Sequence, residues 1–290
     1  MDVLVATCAH RGDDARIVQR QVDALLRAGH HVTFVAPAPE QTDRDGLRHV
    51  EIQRVRGRHR LRAWYELLRA IRRERGHADL LIVHDLELVP LCWMLRRPTV
   101  KVWDVHEDLA ASVQDRAWLP RWLRGAVAWA VRAVERVAPY RYHLLAAEHA
   151  YTARLGAVPV VPNSTLVPVD CPPPVAGDHR VVYIGRVSVH RGWPMMRDLA
   201  LALAGTSEVH VIGEADSDVR DEVQRAHDAG TVVWAGYVPN RDALDRVDGA
   251  LAGLCLLSPI PNYLHSMPTK IVEYLGHGVP VVTTDLPLAR

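Results

Sequence analysis

Short apolar, β-branched runs alternate along this chain with longer stretches whose apolar positions recur every three or four residues. Val3–Thr7 (VLVAT), His31–Ala36 (HVTFVA), Asp79–Val83 (DLLIV) and Thr99–Val105 (TVKVWDV) are near-continuously apolar, as parallel strands covered on both faces are. The helical period runs through Ala15–Arg27, Leu61–Glu74 and Arg116–Val137, and Tyr142–Ala147 (YHLLAA) and Val158–Pro162 (VPVVP) read as further strands. Strand and helix in alternation predict a doubly wound α/β domain.

Pro162–His179 (PNSTLVPVDCPPPVAGDH) is rich in proline and has neither period, which predicts a linker over 163–178 after a first domain at 1–162. The alternation then restarts over 179–290. Strands are predicted at Arg180–Gly185, Glu208–Gly213, Thr231–Gly236, Ala250–Leu257 and Pro280–Asp285, and helices at Trp193–Ala204, Asp218–Asp228, Arg241–Val247 and Thr269–His277. The expected fold class is α/β: two doubly wound, Rossmann-like domains facing across a cleft into which the carboxyl ends of both sheets point. The second domain has five predicted strands where a complete doubly wound half has about six, so it is expected to be incomplete.

A length of 290 residues suits two domains, and 49% apolar with 24% charged residues excludes disorder as the default. The net charge of +1 conceals many arginines before Arg141, which implies a local basic face rather than a general polyanion binder. Cys8, Cys92, Cys171 and Cys255 are far apart with no CxxC spacing; neither a zinc ribbon nor a disulfide framework is expected, and a reducing cytoplasm fits. No secretion signal and no apolar run long enough to span a bilayer is read, so membrane contact would be peripheral. Two basic helical stretches, 54–75 and 115–137, interleave arginines with Trp64, Trp118, Trp122 and Trp129. They fit either an anionic lipid interface or, as the favoured reading, an arginine-rich solvated face over buried tryptophans. No nucleic-acid-binding module accompanies the charge, so nucleic acid is not an expected partner.

The segment HSMPTKIVEYLGHGVPVVTTDLPLAR (265–290) opens a helix with Pro268, Thr269 and Lys270. Backbone N–H groups and the positive end of the helix dipole there suit a pyrophosphate. Thr269 is expected to cap the helix, and Glu273, one turn on, is placed for hydroxyls of the same ligand. The plain alternative is an N-capped surface helix. In RVVYIGRVSVHRG (180–192) Gly185 allows close backbone approach while Arg186 and Arg191 suit phosphate oxygens, unless both merely cap a rim. In the first domain His10, Asp13, Asp14 and Arg16 form a polar cluster after the first strand, where a general base or an acceptor contact can sit, with helix capping as the alternative for either aspartate. His84, Asp85, His106, Glu107 and Asp108 come to the same sheet edge. Donors of this kind can bind a divalent metal, but no HxH or HExxH spacing occurs and no metal is expected.

Taken together, the GR…RG element, the PTK…EY…GVPVVTTDLP element, AHRGDDARI…LLRAGHHVTFVAP, VHDLELVPL…VWDVHED and VVPNS resemble, in order, the retaining family 4 glycosyltransferases of GT-B architecture. The resemblance implies a sugar transferred with retention from a nucleoside diphosphate sugar, a co-substrate rather than a cofactor, to a hydroxyl of a glycan, lipid carrier or small aglycone, as in polysaccharide biosynthesis. It implies that Arg186 and Arg191 contact the donor diphosphate, that Glu273 holds the nucleotide ribose, and that Gly185, His265, Ser266, Pro268, Thr269 and Lys270 line the donor site. Many members have Lys where Arg191 stands, and often a second Glu where His265 stands. His106 would face the reacting sugar from the acceptor side, and no obligatory metal is implied. Members also continue past TTDLP with further elements. Two alternatives remain at this point: a sugar-nucleotide epimerase or hydrolase on the same scaffold, and a non-catalytic nucleotide-sugar or glycan-binding protein.

Overall fold

The computed structural model describes residues 1–37, 44–53, 60–96, 98, 100–113, 119–162, 165, 167, 179–264 and 267–289. The chain divides into two compact units, 1–163 and 164–290. Most of the expected linker, Trp118 and the expected helix start at Arg116 lie outside the described residues.

The first unit is a six-stranded, wholly parallel sheet of β1 (Asp2–Ala6), β2 (His31–Pro37), β3 (Leu47–Ile52), β4 (Leu80–Val83), β5 (Val100–Val105) and β6 (His143–Ala146), in the order β3-β2-β1-β4-β5-β6. Successive residues of each strand serve opposite layers, as the two-residue period requires. Leu4, Ala6, Leu81, Val83, Trp103 and Val105 meet Leu67, Ile71 and Leu88 on one face. Val3, Val5, Val32, Phe34 and Ile82 meet Ile17, Val18 and Val22 on the other. Each such side chain, fully buried, contributes about 1.5–3 kcal/mol of transfer free energy. The edge strand β3 was not anticipated. VPVVP, expected as a strand, makes one bridge instead, Val160 to Ala146. Ala146 N–H donates to the Pro159 carbonyl (3.0 Å) and Val161 N–H to the Ala146 carbonyl (2.8 Å), but Pro159 and Pro162 have no N–H with which to extend a ladder. The helix expected over Ala15–Arg27 winds wide (i→i+5) over Ala15–Val22 and becomes α-helical at Asp23–Arg27.

The second unit is a five-stranded parallel sheet of β7 (Arg180–Ile184), β8 (Glu208–Ile212), β9 (Val233–Gly236), β10 (Ala252–Cys255) and β11 (Val281–Thr283), in the order β11-β10-β7-β8-β9. β7 and β10 pair only at Val181–Ala252 and Val182–Gly253. Beyond these pairs the Tyr274 hydroxyl bridges them, accepting from Ile184 N–H (2.9 Å) and donating to the Leu254 carbonyl (3.3 Å). The Tyr274 ring occupies the space a side chain at position 253 would need, with ring atoms 2.4 Å from a Cβ there, so only glycine fits.

Strand order reverses between β1 and β4 in the first sheet and between β7 and β10 in the second. At such switch points the connections leave to opposite faces and open a crevice at the carboxyl edge.

Candidate functional site

At the first switch point β1 runs out at Ala6 and β4 at Val83. Asp85, buried just past β4, holds the loop after β1: its Oδ2 accepts from Thr7 Oγ1 (3.0 Å) and from the N–H groups of Cys8 (2.5 Å) and Ala9 (3.2 Å). His10 lies between two carboxylates, with Nε2 3.6 Å from Asp85 and Nδ1 3.5 Å from Asp14. Burial of the ring opposes its charging, but the Asp14 hydrogen bond and the charges of Asp14, Asp85 and Glu107 outweigh it and push the pKa from 6.5 up to about 9. His10 is therefore an imidazolium at neutral pH. Asp14 in turn is held well below the usual carboxylate range: burial works the other way, but His10 and the Ile17 N–H prevail. It also caps the Ala15–Val22 helix, accepting from Arg16 N–H (3.0 Å) and Ile17 N–H (3.1 Å).

Beneath His10 lies Asp104, on β5, with no exposed side-chain surface. The Arg16 guanidinium clasps it with Nε to Oδ2 at 3.0 Å and Nη2 to Oδ1 at 2.7 Å, while Nη1 donates to the Val161 carbonyl (3.1 Å). Gln21 Nε2 also donates to Asp104 Oδ2, and His106 Nε2 lies 2.9 Å from it. His84 Nδ1 sits 3.0 Å from His106 Nε2 and 3.6 Å from Asp104. Burial would raise the Asp104 pKa, yet His106, His84 and Arg16 hold it far below its ordinary value. Burial lowers that of His84 in spite of Asp104, which keeps the ring neutral. His106 Nε2 thus stands between the Asp104 carboxylate and His84 Nδ1, within hydrogen-bond distance of both. His84 Nε2 is buried without a hydrogen-bond partner among the described residues.

His84, Asp104 and His106 offer three donor atoms within 4.8 Å of one another, enough in number for a divalent ion. Both oxygens of Asp104 are already engaged by a guanidinium, and the two imidazoles face each other at 3.0 Å. A dication placed there would meet the Arg16 charge at close range, so the donor set suits a hydrogen-bonded network better than a metal tripod. Asp13 pairs instead with Arg11 (2.9 Å), Glu107 is exposed, and Asp108 caps the Leu109–Ser112 helix and binds Arg154 (3.0 Å). Asp104 and Gln21 were not singled out from the sequence. The available signal was the Asp104–His106 spacing, which places both side chains on one face of a strand.

At the second switch point β7 ends in Gly185, whose φ of 116° is a conformation open to glycine. Lys270, the second residue of the Thr269–Gly276 helix, is buried; its Nζ lies 3.8 Å from the Tyr183 ring centroid and 3.6 Å from where a Cβ at position 185 would stand. That ammonium has no hydrogen-bond partner among the described residues. Arg191 approaches from the next loop, its guanidinium 5.8 Å from the Tyr263 ring. Burial pushes the Cys255 thiol upward in pKa, against the pull of Lys270, the Thr283 hydrogen bond and Arg191. Glu273 is buried one turn after Lys270 and accepts from Asn240 Nδ2 (3.4 Å). Arg186 is exposed and turned toward Asp216 in an ion pair. The expected Thr269 cap is not made: Pro268 is the N-cap and no side chain caps the helix, because proline sets the entry dihedral without a capping oxygen. His265 and Ser266 lie outside the described residues. Two clefts, of about 800 Å³ beside Arg180, Glu208 and Val232 and about 540 Å³ beside Asp2, His31 and Glu74, open at the amino edges of the two sheets, away from these clusters.

Residues 178–290, the bulk of the second unit, match the family described as Glycosyl transferases group 1. The sequence matches no curated protein. The fold is similar to that of Anabaena HepE, solved with UDP and glucose (TM-score 0.68, 16% identity, covering 100% of this chain and 82% of that one). It is similar also to sucrose-phosphate synthase from Thermosynechococcus elongatus (0.67, 18%, 98% and 81%) and to WaaG, a glycosyltransferase of lipopolysaccharide biosynthesis (0.67, 14%, 98% and 80%). These likenesses make the fold that of the GT-B glycosyltransferases, two doubly wound α/β units in one chain.

Proposed function

We propose that this protein is a glycosyltransferase that moves a sugar from a nucleoside diphosphate donor to a hydroxyl acceptor with retention of anomeric configuration. The observation that carries the proposal is Lys270, a buried ammonium without a hydrogen-bond partner among the described residues, at the β7–β10 switch point. An unpaired buried cation is costly unless a ligand supplies the anion. Arg191 and the uncapped start of the Thr269–Gly276 helix add positive potential around the same point, and two linked phosphates fit that chemistry. Glu273, one helical turn away, accepts the ribose hydroxyls. The family match over 178–290 and the UDP and glucose bound by HepE support the same assignment.

In this reading the bond between the anomeric carbon and the β-phosphate oxygen breaks with its electron pair on the oxygen. Lys270, Arg191 and, once turned from Asp216, Arg186 stabilise the charge that develops there. The acceptor oxygen bonds to the anomeric carbon on the face the phosphate leaves, and its proton passes to the departing phosphate. That route needs no carboxylate nucleophile. At the carboxyl edge of the first sheet, His106, held by Asp104, and the positively charged His10 are the groups that this reading gives to the acceptor. No step requires a metal, and the reaction is assigned to the cytoplasm.

A thermal-shift panel of UDP, GDP, ADP and their sugar conjugates tests the donor site. Ligand at about 100 times its Kd adds about 2.7 kcal/mol to the native state. A shift with one nucleotide, lost in Glu273→Ala and Lys270→Met, is the expected result; no shift with any of them overturns the proposal. Product analysis with the matching donor then separates the alternatives: transfer needs an acceptor, whereas epimerisation and hydrolysis do not. The anomeric coupling constant of the product reports retention or inversion.

A further inference from the structure

The Arg121–Val137 helix carries apolar residues on two sides, and the first unit covers only one of them. Leu123, Val127, Val131 and Val134 are wholly or partly buried, Val134 against the core beneath β6. On the opposite side Trp122 is 80% and Trp129 74% exposed. Seven residues apart, they stand two turns from each other on one stripe, about 10 Å along the axis, with only Gly125 and Ala126 between them. Val137 and Tyr140, 44% and 82% exposed, follow at the carboxyl end. The favoured expectation of tryptophans buried under arginine stems is therefore corrected for Trp122 and Trp129. Singly exposed apolar residues are ordinary, but two indoles with only small residues between them on one stripe make an apolar patch, which Val137 and Tyr140 follow at the carboxyl end.

The charge around that stripe has one sign. The helix holds Arg121, Arg124, Arg132 and Arg136 against Glu135 alone, four positive charges less one negative, and Glu135 is buried, where it binds Arg132 and Arg154. Arg121 and Arg136, at the two ends of the helix, have no acidic partner among the described residues. Aromatic residues with an apolar body and a polar tip, flanked by basic ones, are the chemistry of a helix lying in the headgroup layer of an anionic membrane. No described helix is long and apolar enough to cross a membrane, so the contact is one of lying on the surface.

We infer that the outer face of the Arg121–Val137 helix, with Trp122 and Trp129 as anchors and Arg121 and Arg136 as flanking charges, docks on an anionic lipid bilayer. The inference stands independently of the transfer reaction. The helix runs back from the carboxyl edge of the first sheet, and its Arg132 reaches Asp108, two residues past His106, so docking would hold the His106 edge close to the headgroups.

Co-sedimentation of the full chain with vesicles tests it, comparing pure phosphatidylcholine with vesicles containing about 30% phosphatidylglycerol. Binding is expected to the anionic vesicles and to weaken between about 0.1 M and about 0.5 M salt. The Trp122→Ser/Trp129→Ser double variant is expected to lose about tenfold or more in partitioning, and Arg121→Glu/Arg136→Glu about fivefold or more per arginine. All four side chains lie on the solvent side, and circular dichroism checks that both variants stay folded. Three outcomes overturn the inference: no binding to anionic vesicles, binding that both variants retain, or equal binding to the neutral vesicles. A self-association lost in the tryptophan variant without any vesicle binding would also overturn it and assign the stripe to a second copy of the chain.

Discussion

The carboxyl edges of the two sheets are built on opposite plans. In the first unit Asp104 is clasped by Arg16, Gln21 and His106, and Asp85 accepts three hydrogen bonds. In the second, Lys270 is also buried, and among the described residues its ammonium has the face of the Tyr183 ring but no hydrogen-bond acceptor. At the first edge the buried carboxylates find their donors within the protein; at the second the buried ammonium finds no hydrogen-bond acceptor among the described residues. A carboxylate held by several donors is fixed in orientation, whereas a buried cation without an acceptor retains its attraction for an anion.

The strongest way to break that contrast is at Asp104. Asp104→Ala leaves the Arg16 guanidinium buried without its counter-ion and is expected to cost about 3–5 kcal/mol, read by urea unfolding of the full chain. Lys270→Met should do the reverse to the free protein. Removing an unpaired buried charge is expected to stabilise the nucleotide-free chain by about 1–2 kcal/mol, part of the gain being offset by the lost contact with the Tyr183 ring, while abolishing the nucleotide-induced shift. A destabilised Lys270→Met would show that its ammonium is satisfied without ligand and that the contrast is false. An effect of similar size concerns His10. Its folded pKa of about 9 lies above 6.5, so its stabilisation is complete below about pH 6.5 and is lost as pH rises through about 9. Between pH 7 and pH 10 stability should fall by on the order of 2 kcal/mol more in the wild type than in His10→Gln, measured by denaturation across that range.

Most strands of both units were legible because a strand covered on both faces is apolar throughout, and VLVAT or VVYI has no other common reading. β3 escaped because LRHVEI, at an edge and half exposed, alternates too weakly to stand out. VPVVP has the composition of a strand, but its prolines withhold the donors. The positions of Lys270, Arg191 and Glu273 followed from motif and helix period, whereas the missing partner of Lys270 is a property of packing. Asp104 was passed over because a buried carboxylate on a strand resembles a strand end until Arg16, from another helix, is seen against it. The exposure of Trp122 and Trp129 was hidden for a related reason: when both sides of a helix are apolar, periodicity does not say which one the fold covers.

Tyr274 has a consequence of its own. The helix that carries Lys270 and Glu273 is hydrogen-bonded through this one hydroxyl into the middle of the sheet, to β7 on one side and β10 on the other. It therefore cannot peel away by itself, and opening it means opening the sheet. Amide exchange in that helix and at Ile184 is expected to follow the slowest unfolding of the second unit rather than local breathing. Substitution is correspondingly cheap in the loops around the helix and expensive within it, since any change that shifts its axis is resisted by the core as a whole.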